Sequence, residues 1–225
     1  MEILIGVGIV ILSYLIGSIP FGYIIVKLKT GEDIRTIQSG RTGGTNTMRA
    51  AGFWYGLAAG ILDVLKGAST VWLARAIMPA SIWVTILAPI AAILGHNYSI
   101  FLLHKNIMGK LEFSGGAGGA PTLGGSFALW APSIFIIFPL GAFVFYFIGY
   151  ASVTTMSIAF LSIIIFSILS ILKVTPWHYI LFGVVAQIIL LYELRGNIKR
   201  LIEGNERLHG FRAKRKAHGS SGFSK

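Results

Sequence analysis

Long apolar stretches alternate with short polar segments along the whole chain. Residues 3 to 26 contain no charged side chain, and residues 82 to 103 contain no Asp, Glu, Lys or Arg but include His96. Residues 51 to 76 are apolar except for three charged side chains, Asp63, Lys66 and Arg75. Because about 20 apolar residues in an α-helix cross the hydrocarbon layer of a bilayer, each stretch predicts a transmembrane helix.

Residues 125 to 193 form a longer apolar stretch that proline and glycine divide into four pieces, at Pro132, Pro139, Gly149 and Pro176. Four pieces bring the total to about seven transmembrane helices, whereas two longer crossings would give five, and both counts stay open. The first two pieces, near 125 to 138 and 139 to 150, would be about 21 and 18 Å long at 1.5 Å per residue, shorter than a bilayer core. The pattern therefore predicts an all-α, polytopic membrane protein.

Basic residues are concentrated in the loops from Lys29 to Arg49 and from His104 to Gly124, and in the segment from Arg195 onward. Cytoplasmic loops of membrane proteins carry an excess of Lys and Arg. The charges therefore predict that the C-terminus is cytoplasmic and that the N-terminus lies outside. Residues 1 to 208 form the predicted membrane domain, and residues 209 to 225, which are basic and rich in Ser and Gly, form a predicted flexible tail.

The composition agrees with a membrane protein. Of 225 residues, 55% are hydrophobic and 12% are charged, too few polar residues to cover a soluble globule. The net charge of +11 is explained by basic cytoplasmic loops, so nucleic acid is not an expected partner. The absence of cysteine excludes disulfides, thiolate nucleophiles and cysteine-based metal sites. Neither a metal nor a cofactor is predicted.

The first polar loop has the composition of a phosphate site. Ser39 begins a run of small polar residues that ends near Arg49, with Arg41 inside it. Successive backbone amides between small residues can surround an anion, and arginine can donate two parallel hydrogen bonds to phosphate. The predicted phosphate-binding residues of this loop are Gly43, Gly44, Thr45 and Asn46. An ordinary polar loop between two spans remains the alternative.

A second glycine cluster, residues 115 to 125, lies immediately before an apolar stretch. Gly115, Gly116 and Gly118 can supply free amides at the N-terminus of a helix, where the helix dipole also favours an anion. The cluster is not a Walker A loop, because it does not end in Gly-Lys followed by Ser or Thr. A flexible connector would have the same glycine content, and this alternative stays open.

Ionisable residues inside the apolar stretches are candidates for function. Asp63 and Lys66 are three positions apart and can meet on one helix face, either to bind substrate or to stabilise the helix bundle. His96 can be a general base or a hydrogen-bonded residue at the membrane interface, and the structural interpretation is favoured. Gly52, Gly56 and Gly60 have the spacing of close helix packing.

Several segments, in order along the chain, resemble motifs of one enzyme family: Gly17 to Tyr23, Asp33 to Arg49, Asp63 to Gly67, Gly95 to Leu102, Tyr150 to Thr155 and Asn197 to Glu206. The family is that of the bacterial membrane glycerol-3-phosphate acyltransferases that use acyl phosphate, the PlsY family. The chain is identified as a divergent member, and the resemblance runs from about residue 15 to 206.

The resemblance implies an activity, a location and a set of site residues. It implies attack by the 1-hydroxyl of sn-glycerol 3-phosphate on a fatty acyl phosphate, giving lysophosphatidic acid and phosphate, the first step of phospholipid synthesis. It implies a bacterial inner membrane enzyme with its active site facing the cytoplasm. Ser39 and Arg49 carry over as catalytic residues, residues 115, 116 and 118 as the phosphate loop, and three side chains as contacts to the glycerol phosphate: Ser152, Thr155 and Asn197.

The chain departs from the family pattern at positions that bear on the phosphate sites. Ala117 and Leu194 stand where the family has a lysine and a histidine. The other departures are Pro121 for threonine, Arg41 for asparagine, Gly149 for arginine, and an insertion at 104 to 112. We hypothesise that Arg41, Lys105 or Lys110 compensates for the lost cations.

Two other functions remain open from the sequence. One is a paralogue with the same fold and a different acceptor, because the departures concentrate where the family would bind glycerol phosphate. The other is a membrane protein of a different class, either a non-catalytic lipid-binding or anion-binding protein or a small transporter.

Overall fold

The computed structural model describes residues 1–106 and 108–213. Ten α-helices are present in this part of the chain: α1 Glu2–Ser18, α2 Phe21–Thr30, α3 Gly44–Ala51, α4 Phe53–Ile77, α5 Ile82–Asn97, α6 Gly119–Leu129, α7 Ile134–Phe143, α8 Ala151–Ile171, α9 His178–Glu193 and α10 Arg195–Ile202. Short 3₁₀ turns occupy Ile34–Thr36 and Ala131–Ser133, and a π-helical turn, Val144–Ile148, follows α7. Two antiparallel strands, β1 Ser99–Lys105 and β2 Leu111–Ser114, form a hairpin.

The prediction of a mostly helical, polytopic membrane protein is confirmed. Four helical segments of the described chain are long and apolar enough to cross a membrane: Glu2–Thr30, Phe53–Ile77, Ala131–Ile148 and Ala151–Ile171. Helix α9 qualifies when it is taken with α10, from which it is bent by 65°. The remaining apolar helices, α5 and α6, have 16 and 11 residues. The count of seven spans and the orientation of the termini stay predictions.

The helix boundaries in the third quarter of the chain differ from the prediction. Helix α6 starts at Gly119 rather than at 125, and the next break falls near Pro132, at the first turn of a 3₁₀ segment. A proline is tolerated there because the amide that it lacks would have no helical partner. Pro139 does not end a helix but lies inside α7. Breaks at Gly149, whose φ is +80°, and before α9 agree with the prediction.

The third predicted helix, 82 to 103, is shorter than expected. Helix α5 ends at Asn97, and the carbonyl of Tyr98 accepts a hydrogen bond from the Tyr14 hydroxyl at 2.7 Å. The apolar residues that follow belong to β1. The described residues of the predicted insertion, 104–106 and 108–112, lie at the end of the hairpin, where the Asn106 carboxamide oxygen accepts from the amide of Lys110 at 2.9 Å.

Small residues bring the central helices into backbone contact. A Cβ atom added at Gly67 of α4 would lie 2.3 Å from the carbonyl oxygen of Pro121, and one added at Gly124 of α6 would lie 1.9 Å from that of Val64. Helix α6 is therefore pressed against α4. Its C-terminal end is closed by Arg75, which donates to the carbonyls of Ala128 and Leu129 at 2.6 and 2.9 Å. A short helix inside a membrane needs such a partner, because lipid offers no hydrogen bonds.

The chain after α10 folds back onto the helical body. Leu208 pairs with Tyr150, and the amide of His209 donates to the carbonyl of Gly149 at 2.8 Å. His209, in the predicted tail, therefore contacts the helical body, and the boundary at residue 208 stays a prediction. The rest of that tail, 214 to 225, lies outside the described residues.

Candidate active site

The first polar loop is held in shape by its own side chains. Asp33 accepts hydrogen bonds from the backbone amide and the guanidinium of Arg35, at 2.6 to 3.0 Å, and these bonds lower the pKa of the Asp33 carboxyl. The Asn46 amide group donates to the carbonyls of Ile37 and Arg41 at 3.0 and 2.9 Å. Because the Asn46 side chain is committed to the loop, we assign it to loop shape rather than to phosphate binding.

The loop leads into α3, which packs closely on α4. A Cβ atom added at Gly44 would lie 2.8 Å from the carbonyl oxygen of Gly56 and 3.2 Å from the amide nitrogen of Gly60. The predicted packing role is confirmed for Gly56, with α3 as the partner, whereas a Cβ atom added at Gly60 would meet no atom within 4 Å. Gly52 has a different role, because its φ of +103° forms the turn between α3 and α4.

The second glycine loop is used mainly for close packing. The amide of Gly116 donates to the carbonyl of His96 at 2.8 Å, so this amide is not free for an anion. A Cβ atom at Gly116 would lie 2.0 Å from Nε2 of His96, and one at Gly115 would lie 2.2 Å from the carbonyl oxygen of Asn97. Gly118, with a φ of +85°, is the residue before α6 and faces the cavity described below. The flexible-connector alternative is therefore wrong for this segment.

Three ionisable residues of α4 and α5, Asp63, Lys66 and His96, are brought together beside the second loop. The Lys66 ammonium lies 2.9 Å from Oδ1 of Asp63 and donates to the carbonyl of Ile19 at 2.9 Å. The Nδ1 atom of His96 lies 3.5 Å from the same Asp63 oxygen. Lys66 thus connects α4 to the break between α1 and α2, and the arrangement favours a structural role for Lys66.

Arg49 has a histidine as its hydrogen-bond partner. Its Nη2 atom contacts Nε2 of His209, and burial lowers the pKa of the Arg49 guanidinium, which still stays charged. Burial, with the nearby charge of Arg49 as the next cause, lowers the pKa of His209 to about 4. Neutral His209 therefore accepts the hydrogen bond. Within residues 1–106 and 108–213, no carboxylate forms an ion pair with Arg49.

Arg41 is held differently, by α9. Its Nη2 atom donates to the carbonyl of Glu193 at 2.9 Å and lies 3.3 Å from the Glu193 carboxylate. Burial lowers the pKa of the Arg41 guanidinium, and Glu193 partly opposes this change. The Nη1 atom is buried and has no hydrogen-bond partner among the described residues.

One cavity of about 970 Å³ collects nearly all the predicted site residues. Its polar end is lined by the residues that the sequence selected: Ser39, Arg41, Gly43, Gly44, Thr45, Asn46, Arg49, Asp63, His96, Gly118, Ser152, Thr155 and Asn197. Three predicted residues, Gly115, Gly116 and Lys66, are not part of this lining. Ala117 and Leu194 stand in the wall as well. Lys105 and Lys110 lie on the hairpin outside it, so of the three proposed compensating cations the structure brings Arg41 to the site.

The other side of the cavity is apolar. Leu57, Ile61 and Leu65 on α4 face Phe135 and Phe138 on α7. These side chains are among the exposed large hydrophobic residues of the protein. The cavity lining therefore combines charged groups with exposed apolar side chains.

Four residues at the polar end of the cavity were not selected as site residues from the sequence. Arg200 and Arg207 line the polar end, and His209 contacts Arg49 there. Glu206 also lines it, accepting from the Asn197 amide group at 2.8 Å and from Arg200 at 3.2 Å. The basic C-terminal segment was the available signal, but its charge was attributed to membrane topology.

Comparisons with known proteins agree with these features. The family model described as glycerol-3-phosphate acyltransferase matches residues 7–204. The glycerol-3-phosphate acyltransferase 2 of Moorella thermoacetica is 38% identical over 206 residues, covering 90% of this chain and 97% of that protein. The enzyme of Aquifex aeolicus is 35% identical over 203 residues, with 88% and 96% covered.

Two solved structures have the same fold. The glycerol 3-phosphate form of PlsY (YgiH), an integral membrane glycerol 3-phosphate acyltransferase, is 32% identical, has a TM-score of 0.77, and is matched over 91% of this chain and 96% of that chain. Its lysophosphatidic acid form is 31% identical, with a TM-score of 0.74 and coverage of 91% and 95%.

Proposed function

Because this chain belongs to the family of glycerol-3-phosphate acyltransferases, as the motifs indicated, we propose that it transfers a fatty acyl group from acyl phosphate to the 1-hydroxyl of sn-glycerol 3-phosphate. The products would be lysophosphatidic acid and inorganic phosphate. The donor, the regiochemistry and a cytoplasmic active site in a bacterial inner membrane are parts of the proposal.

The observation that carries this proposal is the two-sided cavity. An acyl phosphate has a long apolar chain and a doubly charged head, and it would enter sideways from the lipid. The cleft between α4 and α7 suits the chain, and Arg49 with the small residues of the first loop suits the phosphate. A soluble polar donor would not need an apolar cleft of this kind.

The chemistry needs positioning and charge stabilisation more than a nucleophile from the protein. The acceptor hydroxyl oxygen attacks the acyl carbon, the bond from that carbon to the phosphate oxygen breaks, and the departing phosphate accepts the hydroxyl proton. Arg49 would stabilise the charge on the leaving phosphate, and Ser39 would donate a hydrogen bond to the donor. His96 is not assigned as a base, because its Nδ1 faces Asp63 and its Nε2 lies against Gly116.

The acceptor would bind near α8 and α10. Ser152 and Thr155 begin α8, and Asn197 lies in the first turn of α10. The buried hydroxyl of Ser152 has no hydrogen-bond partner among the described residues and can donate to a ligand. Arg41, whose Nη1 atom has no hydrogen-bond partner among the described residues, would supply a positive charge in place of the lysine and histidine that this chain lacks.

The test is phosphate release from palmitoyl phosphate by purified protein in detergent, with and without glycerol 3-phosphate. We expect release that depends on the acceptor, and a loss of about 100-fold in kcat/KM for Arg49→Ala, as for removal of one transition-state hydrogen-bond donor. Lys199→Ala is the matched control, because its side chain is 78% exposed and lies outside the cavity.

Other outcomes would contradict parts of the proposal. Release with another polyol phosphate but not with glycerol 3-phosphate would identify a different acceptor. An absence of release with every acceptor would reject the acyltransferase function and leave a lipid-binding or anion-binding protein.

A further inference from the structure

The segment after α10 forms part of the cavity rim. We define residues 205–213 as the C-terminal strap; it lies beyond the region, 7–204, that the family model matches. The strap is joined to the first polar loop by Arg207, which donates to the carbonyl of Gln38 at 3.1 Å. At its other end Arg212 donates to the carbonyl of Ile148 at 3.3 Å. The strap thus connects the first loop to the end of the π-helical turn after α7, across the polar end of the cavity.

Two glycines allow the strap to lie directly on the backbone beneath it. Gly149 and Gly210 have φ values of +80° and +59°, a region that disfavours other residues. A Cβ atom at Gly149 would lie 2.7 Å from the carbonyl oxygen of His209, and one at Gly210 would lie 2.3 Å from that of Tyr146. The arginine that the family pattern has at position 149 would not fit under this strap.

The close approach of the strap to the backbone places the His209 ring between two residues of the cavity wall, Phe145 and Arg49. The ring stacks on Phe145, with 5.3 Å between centroids and 22° between planes. Its Nε2 atom meets Nη2 of Arg49. Both Phe145 and Arg49 line the cavity, one on the apolar side and one at the polar end.

We propose that His209 is a positioning residue that holds the Arg49 guanidinium toward the phosphate of the acyl donor, so that the strap is part of the active site. This inference rests on the proposed function of Arg49.

A neutral imidazole suits this task better than a carboxylate. A carboxylate would orient the guanidinium too, but it would neutralise the charge that the donor phosphate needs. An accepting ring nitrogen fixes the orientation of a long side chain and leaves the full positive charge available. The stacking on Phe145 in turn fixes the ring.

Paired substitutions at His209 separate hydrogen bonding from packing. His209→Phe keeps an aromatic ring against Phe145 and removes the acceptor, whereas His209→Gln keeps a neutral acceptor. We expect His209→Phe to lower kcat/KM for palmitoyl phosphate by about 10- to 100-fold, the loss typical of one hydrogen bond to a charged group. The KM for glycerol 3-phosphate should change by less than about 3-fold, and His209→Gln should recover most of the loss. Phe113→Ala, on the hairpin outside the cavity and 48% exposed, is the control.

Calorimetric measurement of inorganic phosphate binding to the same proteins tests the positioning role of His209 independently of acyl transfer. We expect about 10-fold weaker binding for His209→Phe than for wild type and near-wild-type binding for His209→Gln. If wild type binds phosphate in this pattern without transferring acyl groups, the positioning role stands and the proposed function fails. Wild-type behaviour of His209→Phe, equal damage from Phe and Gln, or no phosphate binding by wild type would each overturn the inference.

Discussion

Replacing Lys66 by methionine tests whether the buried charge pair of α4 is structural. The side chains of Lys66 and Asp63 are 3% and 1% exposed, and their charged atoms are 2.9 Å apart. Methionine keeps most of the length of the lysine side chain and removes its charge. The Asp63 carboxylate then loses its partner inside a membrane helix, and the carbonyl of Ile19 loses its donor.

The expected cost follows from these contacts. Removing one partner of a buried ion pair typically costs about 3 to 5 kcal/mol, and an unpaired acid at the centre of a membrane helix costs about 3 kcal/mol on insertion scales. His96, 3.5 Å from the same carboxylate oxygen, can partly replace the lysine, which favours the lower value. At roughly 2 to 4 °C per kcal/mol for a chain of this size, a loss of about 3 kcal/mol lowers Tm by about 6 to 12 °C.

Thermal unfolding in detergent, followed together with acyltransferase activity, is the assay. The double variant Asp63→Asn with Lys66→Met removes both charges and should recover at least half of the lost Tm. Because Lys66 does not line the cavity, the activity per folded molecule of Lys66→Met should stay within about 3-fold of wild type. Ile77→Met, at a half-exposed position on the same helix, is the control.

Two results would refute this reasoning. A Tm within about 2 °C of wild type for Lys66→Met would mean that the pair adds little to stability. Loss of activity without loss of stability would mean that Lys66 acts in catalysis rather than in helix packing.

Three further predictions test other parts of the structure. Arg75→Leu should lower the unfolding free energy by about 3 kcal/mol, because two carbonyls at the end of α6 lose a charged donor, and thermal unfolding measures this. Gly116→Ala should reduce kcat at least about 10-fold, because its Cβ would collide with the His96 ring, whereas Gly8→Ala meets no neighbour and should stay active. Burial and the charge of Arg49 lower the pKa of His209 to about 4, below its ordinary value of 6.5, so the folded protein keeps the neutral imidazole and its hydrogen bond to Arg49 at neutral pH and loses them between about pH 5 and pH 4. The ratio of wild-type to His209→Gln activity should therefore fall as the pH drops through this range, and a constant ratio would contradict the assignment.

Hydropathy and local motifs were sufficient for much of this protein. The apolar stretches predicted the helical segment Glu2–Thr30 and α4 because a membrane helix makes its backbone hydrogen bonds within a local segment, so local composition decides whether it forms. The motif from Ser39 to Arg49 likewise predicted which loop lines the cavity. These properties need no knowledge of which helix lies beside which.

The tertiary structure decided how individual groups are used. From the sequence, the backbone amide of Gly116 and the side-chain amide of Asn46 are expected to be free hydrogen-bond donors. In the fold, the Gly116 amide donates to the carbonyl of His96 and the Asn46 side chain donates to carbonyls of the first loop. Because both donors have partners, neither is available to phosphate. From the sequence, the basic residues after Arg195 predict membrane topology. In the fold, the turn after α10 brings His209 into contact with Arg49, which is 160 positions away in the sequence. Whether a polar group is free depends on the neighbours that the fold brings to it, and those neighbours are distant in the chain. The sequence by itself therefore determined the helical membrane architecture, the polar loops and the family, and the tertiary structure alone decided which groups in those loops remain free to bind a ligand.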